Sequence, residues 1–290
     1  MPSTLQIYEV GPRDGLQSAK ARFSTSEKVE LIKLLGGSGI STIEIGSFVD
    51  PRLVPSMSDS AAVSREVLGL MGPEIELAAL IPNERGLQSA IMAGLDHFNV
   101  FFSPSEAFNA RNLGKTRVEA LQSFRKMLKD IPKRNVRVYI SCAFGCPFEG
   151  DIEPNLLKMA IREADRLGST IVLCDTVGKA SPKSVGYVLG LLGPEIDAEI
   201  ALHLHEGPRG RTGLFENIEA AVGFGVNQFD SSIGRLGGCP LMPGSGVNVA
   251  TEDLVEWAHA RGFDTGVSER ALAEAAAFVT SRVSPMEMIL

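Results

Sequence analysis

Eight short runs rich in isoleucine, valine and phenylalanine recur along the chain, and longer segments with helical spacing separate them. The runs are LQIYEV (5–10), TIEIGS (42–47), IELAALI (75–81), HFNVFF (97–102), RVYISCAF (137–144), TIVLCDT (170–176), IALHLH (200–205) and QFDSSI (228–233). Strands that alternate with helices favour a parallel sheet, and eight such units are the number that closes into a barrel. We therefore predict an α/β fold, a (β/α)8 TIM barrel with a C-terminal helical extension.

The segments between the runs carry helix signals. Residues 27–35 and 117–129 place their apolar side chains on one face. Ser24 with Glu27, and Thr116 with Glu119, have the spacing of a capping box, in which a hydroxyl and a carboxylate satisfy free backbone donors. These pairs predict where two of the helices begin.

A doubly wound open sheet is the competing fold. Against it, no GxGxxG motif follows the first run, and GKT at 114–116 lacks the upstream glycine of a phosphate-binding loop. No linker or low-complexity stretch divides the chain, and residues 266–290 add an alanine-rich helix and a tail. We expect residues 1–290 to form a single catalytic domain.

Composition limits the partners and the compartment. The net charge is -7, and no basic stripe interleaved with aromatic residues is present, which argues against nucleic acid and favours a small molecule. No apolar stretch approaches the roughly 18 residues that cross a bilayer, and the first eight residues lack a signal core. We expect a cytoplasmic protein that does not contact membranes and whose four cysteines are reduced thiols.

Polar side chains gather where the predicted strands end, which is the end of a TIM barrel that carries the active site. His203 and His205 are two residues apart on one strand, so both imidazoles face the same way, as metal ligands do. Asp14 and Asn248 can add oxygen donors. Such a donor set suits Mg²⁺ or Mn²⁺, although Zn²⁺ and Fe²⁺ also accept two histidines and a carboxylate.

The segment EVGPRDGLQ places two opposite charges side by side in a glycine- and proline-rich turn after the first run. Arg13 can stabilise an oxyanion, or it can form a plain salt bridge with Asp14 or Glu44. Glu44 lies on the second run and Asp175 ends the sixth, and both are candidates for general bases or for residues that orient the metal ligands.

The segment GRLGGCPLMPGSGVN (234–248) is rich in glycine and contains two prolines, so we expect neither helix nor strand there. Its length indicates a functional loop that folds over a ligand. Cys239 lies inside this loop, where a thiol is best explained as a proton donor or acceptor.

Several motifs, in order along nearly the whole chain, resemble one known family. They are EVGPRDGLQ (9–17), IEIGSFV (43–49), VPSMSD (54–59), SCAFGCPFEG (141–150), CDTVG (174–178), HLH (203–205), LGGCP (236–240) and NVATEDL (248–254). The chain resembles the 3-hydroxy-3-methylglutaryl-CoA lyases, within a wider group of metal-dependent lyases and synthases on α/β barrels.

The resemblance implies a carbon–carbon lyase that cleaves 3-hydroxy-3-methylglutaryl-CoA to acetyl-CoA and acetoacetate, a reaction of leucine degradation and ketone-body metabolism. It implies a divalent cation, Mg²⁺ or Mn²⁺, held by Asp14, His203, His205 and Asn248. It also implies a small-molecule acyl-CoA partner. A homodimer or a higher homo-oligomer is the expected assembly.

The resemblance further implies catalytic roles. Arg13 would polarise the thioester carbonyl, and Asp175, assisted by Glu44, would remove the hydroxyl proton. Cys239 would protonate the resulting enolate. The residues implied to contact the substrate or CoA are Arg13, Gln17 and Lys20.

Two loops, 206–217 and 234–248, depart from the family pattern. The changes are Glu206 for an aspartate, about three extra residues before Asn217, Arg235 for a glycine, and Val247 for the glycine before Asn248. The added arginines at 209, 211 and 235 either lie in solvent or meet another carboxylate or a different acyl group of the substrate. Three alternatives therefore stay open: a lyase for citramalyl-CoA or a longer 3-substituted glutaryl-CoA, a condensing synthase, and a metal-binding barrel without catalysis.

Overall fold

The chain folds into a closed barrel of eight parallel strands. The structure, a computed structural model, describes residues 4–238 and 246–283. Its strands are β1 (Gln6–Glu9), β2 (Thr42–Ser47), β3 (Glu76–Leu80), β4 (His97–Phe102), β5 (Val136–Ile140), β6 (Thr170–Cys174), β7 (Glu199–His203), β8 (His205–Glu206), β9 (Gln228–Ser231) and β10 (Val247–Asn248). All except β8 and β10 form the barrel, and β9 pairs with β1 to close it. The predicted (β/α)8 TIM barrel is confirmed, since each of the eight runs overlaps one barrel strand.

Helices surround the barrel. Those in the described residues are α1 (Leu16–Ser18), α2 (Thr25–Gly37), α3 (Ser60–Leu68), α4 (Glu84–Met92), α5 (Glu106–Leu113), α6 (Arg117–Met127), α7 (Pro154–Leu167), α8 (Pro182–Leu189), α9 (Gly210–Gly223), α10 (Thr251–Ala260) and α11 (Glu269–Thr280). Both predicted capping boxes are present, at Ser24 with Glu27 and at Thr116 with Glu119. The C-terminal extension is α11, which packs against α2.

Two different environments lie on the two faces of the barrel strands. The outward residues, such as Phe98, Phe102 and Phe229, are fully buried against the helices, where each contributes about 1.5–3 kcal/mol. The inward face is more polar than the branched apolar layers that usually fill such a barrel. Asn99 Nδ2 donates a hydrogen bond of 2.8 Å to Tyr8 Oη across the barrel. This polar interior leads to the end of the barrel that carries the site.

Two segments differ from the sequence expectation. The run 137–144 stops as a strand at Ile140, and Cys142 adopts a left-handed backbone with φ 62°. The expectation that 234–248 contains neither helix nor strand is wrong at its described ends. Ile233–Arg235 forms a 3-10 turn, and β10 pairs antiparallel with β8. The pairing gives the polar backbone of β8 hydrogen-bond partners beyond the end of β7.

The described cysteines, Cys142, Cys146 and Cys174, are buried and free, as predicted. Among the described residues, no helix combines the length and the apolar character needed to cross a membrane.

Candidate active site

The first motif forms a wide turn directly after β1. Gly11–Gly15 makes one turn of π-helix, in which the amides of Arg13, Asp14 and Gly15 all point at the carbonyl of Val10. The sequence predicts a turn here, and the observed turn is a wide one that continues directly into α1. Single π-helical turns are frequent at functional sites. This turn presents both charged side chains at the carboxyl end of the barrel.

Arg13 is buried between two carboxylates. Its Nε donates to Glu44 Oε2 at 2.5 Å, and its Nη1 donates to Asp14 Oδ1 at 2.7 Å. Burial favours the protonated form of Asp14, but the Arg13 guanidinium, together with the two histidines and the hydrogen bond from Asn248, lowers the pKa of that carboxyl. The second oxygen of Glu44 accepts a hydrogen bond of 2.7 Å from Asn99 Nδ2. The structure therefore places Glu44 where it fixes the orientation of Arg13.

The two histidines meet at the end of β7 and the start of β8. Their Nε2 atoms are 3.4 Å apart, and the rings are almost perpendicular. The Nδ1 of His205 lies 2.6 Å from the backbone oxygen of Asp175, and the Nδ1 of His203 lies 3.1 Å from Asp230 Oδ2. Because each Nδ1 faces an acceptor, each Nε2 can direct a lone pair toward the space between the rings.

The two histidines have opposite pKa shifts. Burial, together with the charge of His203, lowers the pKa of His205 to about 4. Burial also disfavours the charged form of His203, but the hydrogen bond and charge of Asp230 raise the pKa of this ring above its usual value. His205 is therefore neutral at physiological pH.

Asn248 joins this group through the short antiparallel pairing of β10 with β8, in which it stands opposite His205. Its Nδ2 donates to Asp14 Oδ2 at 2.7 Å and to the backbone oxygen of Leu236 at 2.9 Å. Its Oδ1 is buried and has no hydrogen-bond partner within the described parts of the chain. A buried oxygen without a donor is available to a ligand.

A cavity of about 150 Å³ opens at this end of the barrel. It is lined by Arg13, Asp14, Gln17, Leu80, Phe101, Phe108, Asn112, Tyr139, Ser141, Cys174, Thr176, His203, His205 and Gly238. The structure thus brings the first motif and the imidazole pair to one cavity. Lys20 is exposed and does not line it.

Asp175 lies beside the cavity without lining it. Its two carboxylate oxygens accept hydrogen bonds of 2.9 and 3.0 Å from the backbone amides of Lys179 and Ala180. Burial raises the pKa of Asp175 to about 6 against the effect of these amides. Cys239 lies outside the described residues.

Within residues 4–238 and 246–283, no group of three or more histidine, cysteine, aspartate and glutamate side chains is arranged to hold a metal ion. Asp14 is turned toward Arg13 and Asn248, while the two imidazoles face each other. The four predicted ligands border one region, but Asp14 points its oxygens at protein donors.

The arginines of the divergent loops form ion pairs with nearby carboxylates. Arg209 pairs with Glu216 at 2.7 Å, and Arg211 pairs with Asp253 at 3.0 Å. The guanidinium of Arg235 pairs with Glu206, so two of the departures from the family pattern contact each other.

Sequence reasoning missed the polar residues inside the barrel that support the site. Asp230 contacts His203, and Asn99 contacts Glu44. A signal was available in β5, where the alternation of VRVYI places Arg137 on the same face as Tyr139. The alternation does not tell which face is the interior until the barrel closes.

Comparison with known proteins assigns this geometry to a family. The model of the HMGL-like family matches residues 4–279. The chain belongs to this family. The hydroxymethylglutaryl-CoA lyase of Pseudomonas mevalonii is 37% identical to this HMGL-like chain over 284 residues, which cover 96% of the chain and 92% of that protein.

Two further relatives of the HMGL-like chain differ in what they are named for. The 3-hydroxy-3-isohexenylglutaryl-CoA/hydroxymethylglutaryl-CoA lyase of Pseudomonas aeruginosa is 36% identical over 279 residues, covering 95% of this chain and 91% of that one. The structure of an HMG-CoA lyase from Acinetobacter baumannii in complex with coenzyme A and 3-methylmalate superimposes with a TM-score of 0.87. It is 32% identical and covers 96% of this chain and 90% of that chain. The HMGL-like barrel therefore extends over nearly the full length of each relative.

Proposed function

We propose that this chain is a divalent-metal-dependent carbon–carbon lyase that cleaves 3-hydroxy-3-methylglutaryl-CoA to acetyl-CoA and acetoacetate. The proposal depends on one observation. Arg13 and Asp14 of the first turn line the same cavity as the imidazoles of His203 and His205. These residues come from opposite ends of the barrel sequence. The relatives that are named as hydroxymethylglutaryl-CoA lyases support the same reaction.

Asp14, His203, His205 and Asn248 fit a Mg²⁺ or Mn²⁺ ion by their chemistry. Both imidazoles are hydrogen-bonded through Nδ1, which leaves Nε2 for an ion, and Asn248 Oδ1 lacks a hydrogen-bond donor among the described residues. Asp14 keeps unused lone pairs on both oxygens, although it would turn from its present partners. When bound, the ion supplies positive charge that orients the substrate and lowers the pKa of its hydroxyl.

Arg13 is suited to the charge that develops during cleavage. The tertiary hydroxyl loses its proton, the C2–C3 bond breaks, and the electron pair passes to the thioester oxygen as an enolate. Glu44 and Asp14 hold the guanidinium of Arg13 at the cavity wall and leave other N–H donors for that oxygen. Such a preorganised donor stabilises the enolate without having to reorient.

Two proton transfers complete the reaction. We assign the hydroxyl proton to Asp175, whose pKa of about 6 suits a base near neutral pH. To reach the substrate, Asp175 would release one of the amides of Lys179 and Ala180. Cys239, which lies outside the described residues, is proposed to protonate C2 of the enolate and give acetyl-CoA. The remaining fragment leaves as acetoacetate.

The test is an assay of the purified protein with 3-hydroxy-3-methylglutaryl-CoA and Mg²⁺ or Mn²⁺. We expect equal amounts of acetyl-CoA and acetoacetate, loss of turnover with EDTA, and recovery with added metal. The variant Asp175→Asn tests whether Asp175 is a catalytic base or only supports the fold. If Asp175 is the base, kcat should fall strongly while the protein remains folded. No cleavage under any metal, or cleavage insensitive to EDTA, would refute the proposal.

A second candidate is a lyase for a longer 3-substituted glutaryl-CoA. The observation in its favour is a neighbouring cavity of about 340 Å³ that shares His205 with the first one. Gly178, Ala180 and Leu214 line part of it, and the divergent loop 206–217 adds polar side chains, including Arg209 and Asn217, to its wall. The relative that is named for an isohexenyl substrate makes this class worth testing.

A series of 3-alkyl-3-hydroxyglutaryl-CoA thioesters, with citramalyl-CoA included, decides between the candidates. The second candidate predicts a higher kcat/KM for a long substituent than for methyl, and Ala180→Val should lower that value for the long substrate alone. A higher kcat/KM for methyl supports the first candidate. Condensation of acetyl-CoA with a keto acid, without cleavage, would identify a synthase.

Assembly, location and CoA contacts also remain proposals. Gln17 lines the cavity and is proposed to contact the acyl-CoA, whereas exposed Lys20 is proposed to meet the CoA moiety further out. We propose a homodimer or a higher homo-oligomer in the cytoplasm, which light scattering of the purified protein and cell fractionation would test.

A further inference from the structure

A buried ion pair crosses the barrel interior below the histidines. Arg137 on β5 donates from Nη2 to Asp230 Oδ1 on β9 at 2.7 Å, and the two side chains are 9% and 0% exposed. Arg137 also donates to Gln228 Oε1 at 3.1 Å, and its guanidinium lies 4.1 Å from the centre of the Tyr8 ring. The guanidinium is therefore fixed on several sides.

The stability of the barrel does not explain this pair. Two charges lose their hydration when they are buried, and apolar residues of similar volume often replace such a pair with equal or better stability. Branched apolar side chains usually fill this position in a TIM barrel. A reason for the charges must come from what the pair contacts.

The pair contacts His203. The second oxygen of Asp230 lies 3.1 Å from His203 Nδ1. A carboxylate that is paired with a guanidinium accepts hydrogen bonds and does not donate them, so it places the proton of the ring on Nδ1. In the neutral ring, the Nε2 of His203 is then free of a proton on the side that faces His205.

We propose that the Arg137–Asp230 ion pair is a positioning device that fixes the tautomer and the ring orientation of His203. Arg137 orients Asp230, and Asp230 orients His203, so that Nε2 is presented to the cavity. The inference rests on the proposed role of His203 as a ligand, but the tautomer exists whether or not the chain cleaves a thioester. Neither Arg137 nor Asp230 lines the cavity, so both are positioning residues and not catalytic ones.

The neighbouring histidine provides an internal control. The Nδ1 of His205 faces the backbone oxygen of Asp175, which no side-chain substitution removes. A change that acts through Asp230 should therefore alter His203 and leave the tautomer of His205 unchanged.

Asp230→Asn gives a sharp test, because Arg137 can only donate. The oxygen of the new amide must face Arg137, so its NH₂ group faces His203 Nδ1 and forces the proton to Nε2. In the double variant Arg137→Met/Asp230→Asn, no guanidinium requires the amide oxygen to face residue 137. The amide can then turn its oxygen to His203 and restore the original tautomer.

The measurements are two-bond ¹H–¹⁵N spectra of the metal-free, histidine-labelled protein and titration with Mn²⁺ followed by electron paramagnetic resonance. The chain has four histidines, and His203→Gln identifies the relevant signals. We expect Asp230→Asn to move the His203 proton to Nε2 and to weaken Mn²⁺ binding roughly 10–100-fold. The double variant should recover most of both losses.

Asp59→Asn is the matched control, because it removes a carboxylate from the pair of Lys28 and Asp59, which lies outside the barrel. It should change stability but neither readout. If Asp230→Asn does not fold, Arg137→Met/Asp230→Ala removes both charges and should leave His203 in a mixture of tautomers. An unchanged His203 signal in a folded variant, or equal Mn²⁺ loss in Asp59→Asn, would overturn the proposal. Absence of lyase activity in the wild type would refute the proposed reaction and leave this test intact.

Discussion

Asn248 donates a hydrogen bond of 2.7 Å to Asp14, although 234 positions separate the two residues in the chain. The contact joins the turn after the first barrel strand to the short strand that follows the glycine-rich loop. It holds two of the proposed ligands together.

Replacing Asn248 with alanine should weaken metal binding without unfolding the chain. The pairing of β10 with β8 uses backbone atoms and survives the change, whereas Asp14 loses a donor and the site loses an oxygen. We expect Mn²⁺ affinity to fall by at least about 10-fold. Paramagnetic resonance titration measures this, and wild-type affinity in the folded variant would contradict the ligand assignment.

Replacing Arg13 with methionine should lower both stability and activity, and a second substitution should restore only the stability. The variant leaves Glu44 buried without its partner, which costs about 3–5 kcal/mol. Adding Glu44→Gln removes that charge and should restore most of the stability, as urea denaturation would show. Turnover should stay about 10²–10³-fold low in the double variant, because the enolate still lacks its donor. Recovery of kcat together with stability would show that Arg13 is only structural.

Glu9 should make the stability of the protein depend on pH. It is fully buried, accepts hydrogen bonds from the amides of Gly11 and Ile233, and lies 2.5 Å from Thr251 Oγ1. Burial raises the pKa of Glu9 from 4.5 to about 8, against the effect of these hydrogen bonds. Between these values only the folded state holds the proton, so the contribution of Glu9 to stability is fully present below about pH 4.5 and is lost as pH rises through about 8.

The slope from Glu9 alone is at most about 1.4 kcal/mol per pH unit. Glu9→Gln resembles the protonated carboxyl and should remove this contribution, as urea midpoints between about pH 5 and 8 would reveal. Glu74→Gln changes an exposed glutamate and is the control. An identical pH profile in Glu9→Gln and wild type would show that Glu9 is ionised in the folded state.

Arg235→Gly should be tolerated. Arg235 adopts φ 58°, a left-handed backbone that glycine adopts at lower energy, by about 1–2 kcal/mol. The lost ion pair with Glu206 is partly exposed and offsets about 0–1 kcal/mol of this gain. Thermal denaturation should show equal or higher stability, and kcat should stay close to the wild-type value. If Arg235→Gly loses activity and Arg235→Lys does not, the positive charge at position 235 contacts the substrate.

The sequence predicts the barrel well because its signal is local. Each strand carries its own alternation, and each capping box, such as Ser24 with Glu27, is formed within four residues. The imidazole pair is predictable for the same reason, since the two histidines are only two residues apart, although the structure divides them between the end of β7 and the start of β8.

The contacts that the sequence does not predict form only when the barrel closes. Asp230 reaches His203 only because β9 lies beside β7, and the carboxylate of Asp175 turns to the amides of the following loop. The pairing of β10 with β8 is too short to show any periodicity. Such contacts join distant segments, and no pattern within one segment specifies them.

The pairing of β1 with β9 also determines when the protein can finish folding during synthesis. The first strand leaves the ribosome with one edge whose partner ends only at Ser231. Until then its free backbone groups invite pairing with other nascent chains. The barrel therefore keeps an open edge, exposed to aggregation, until synthesis has passed Ser231.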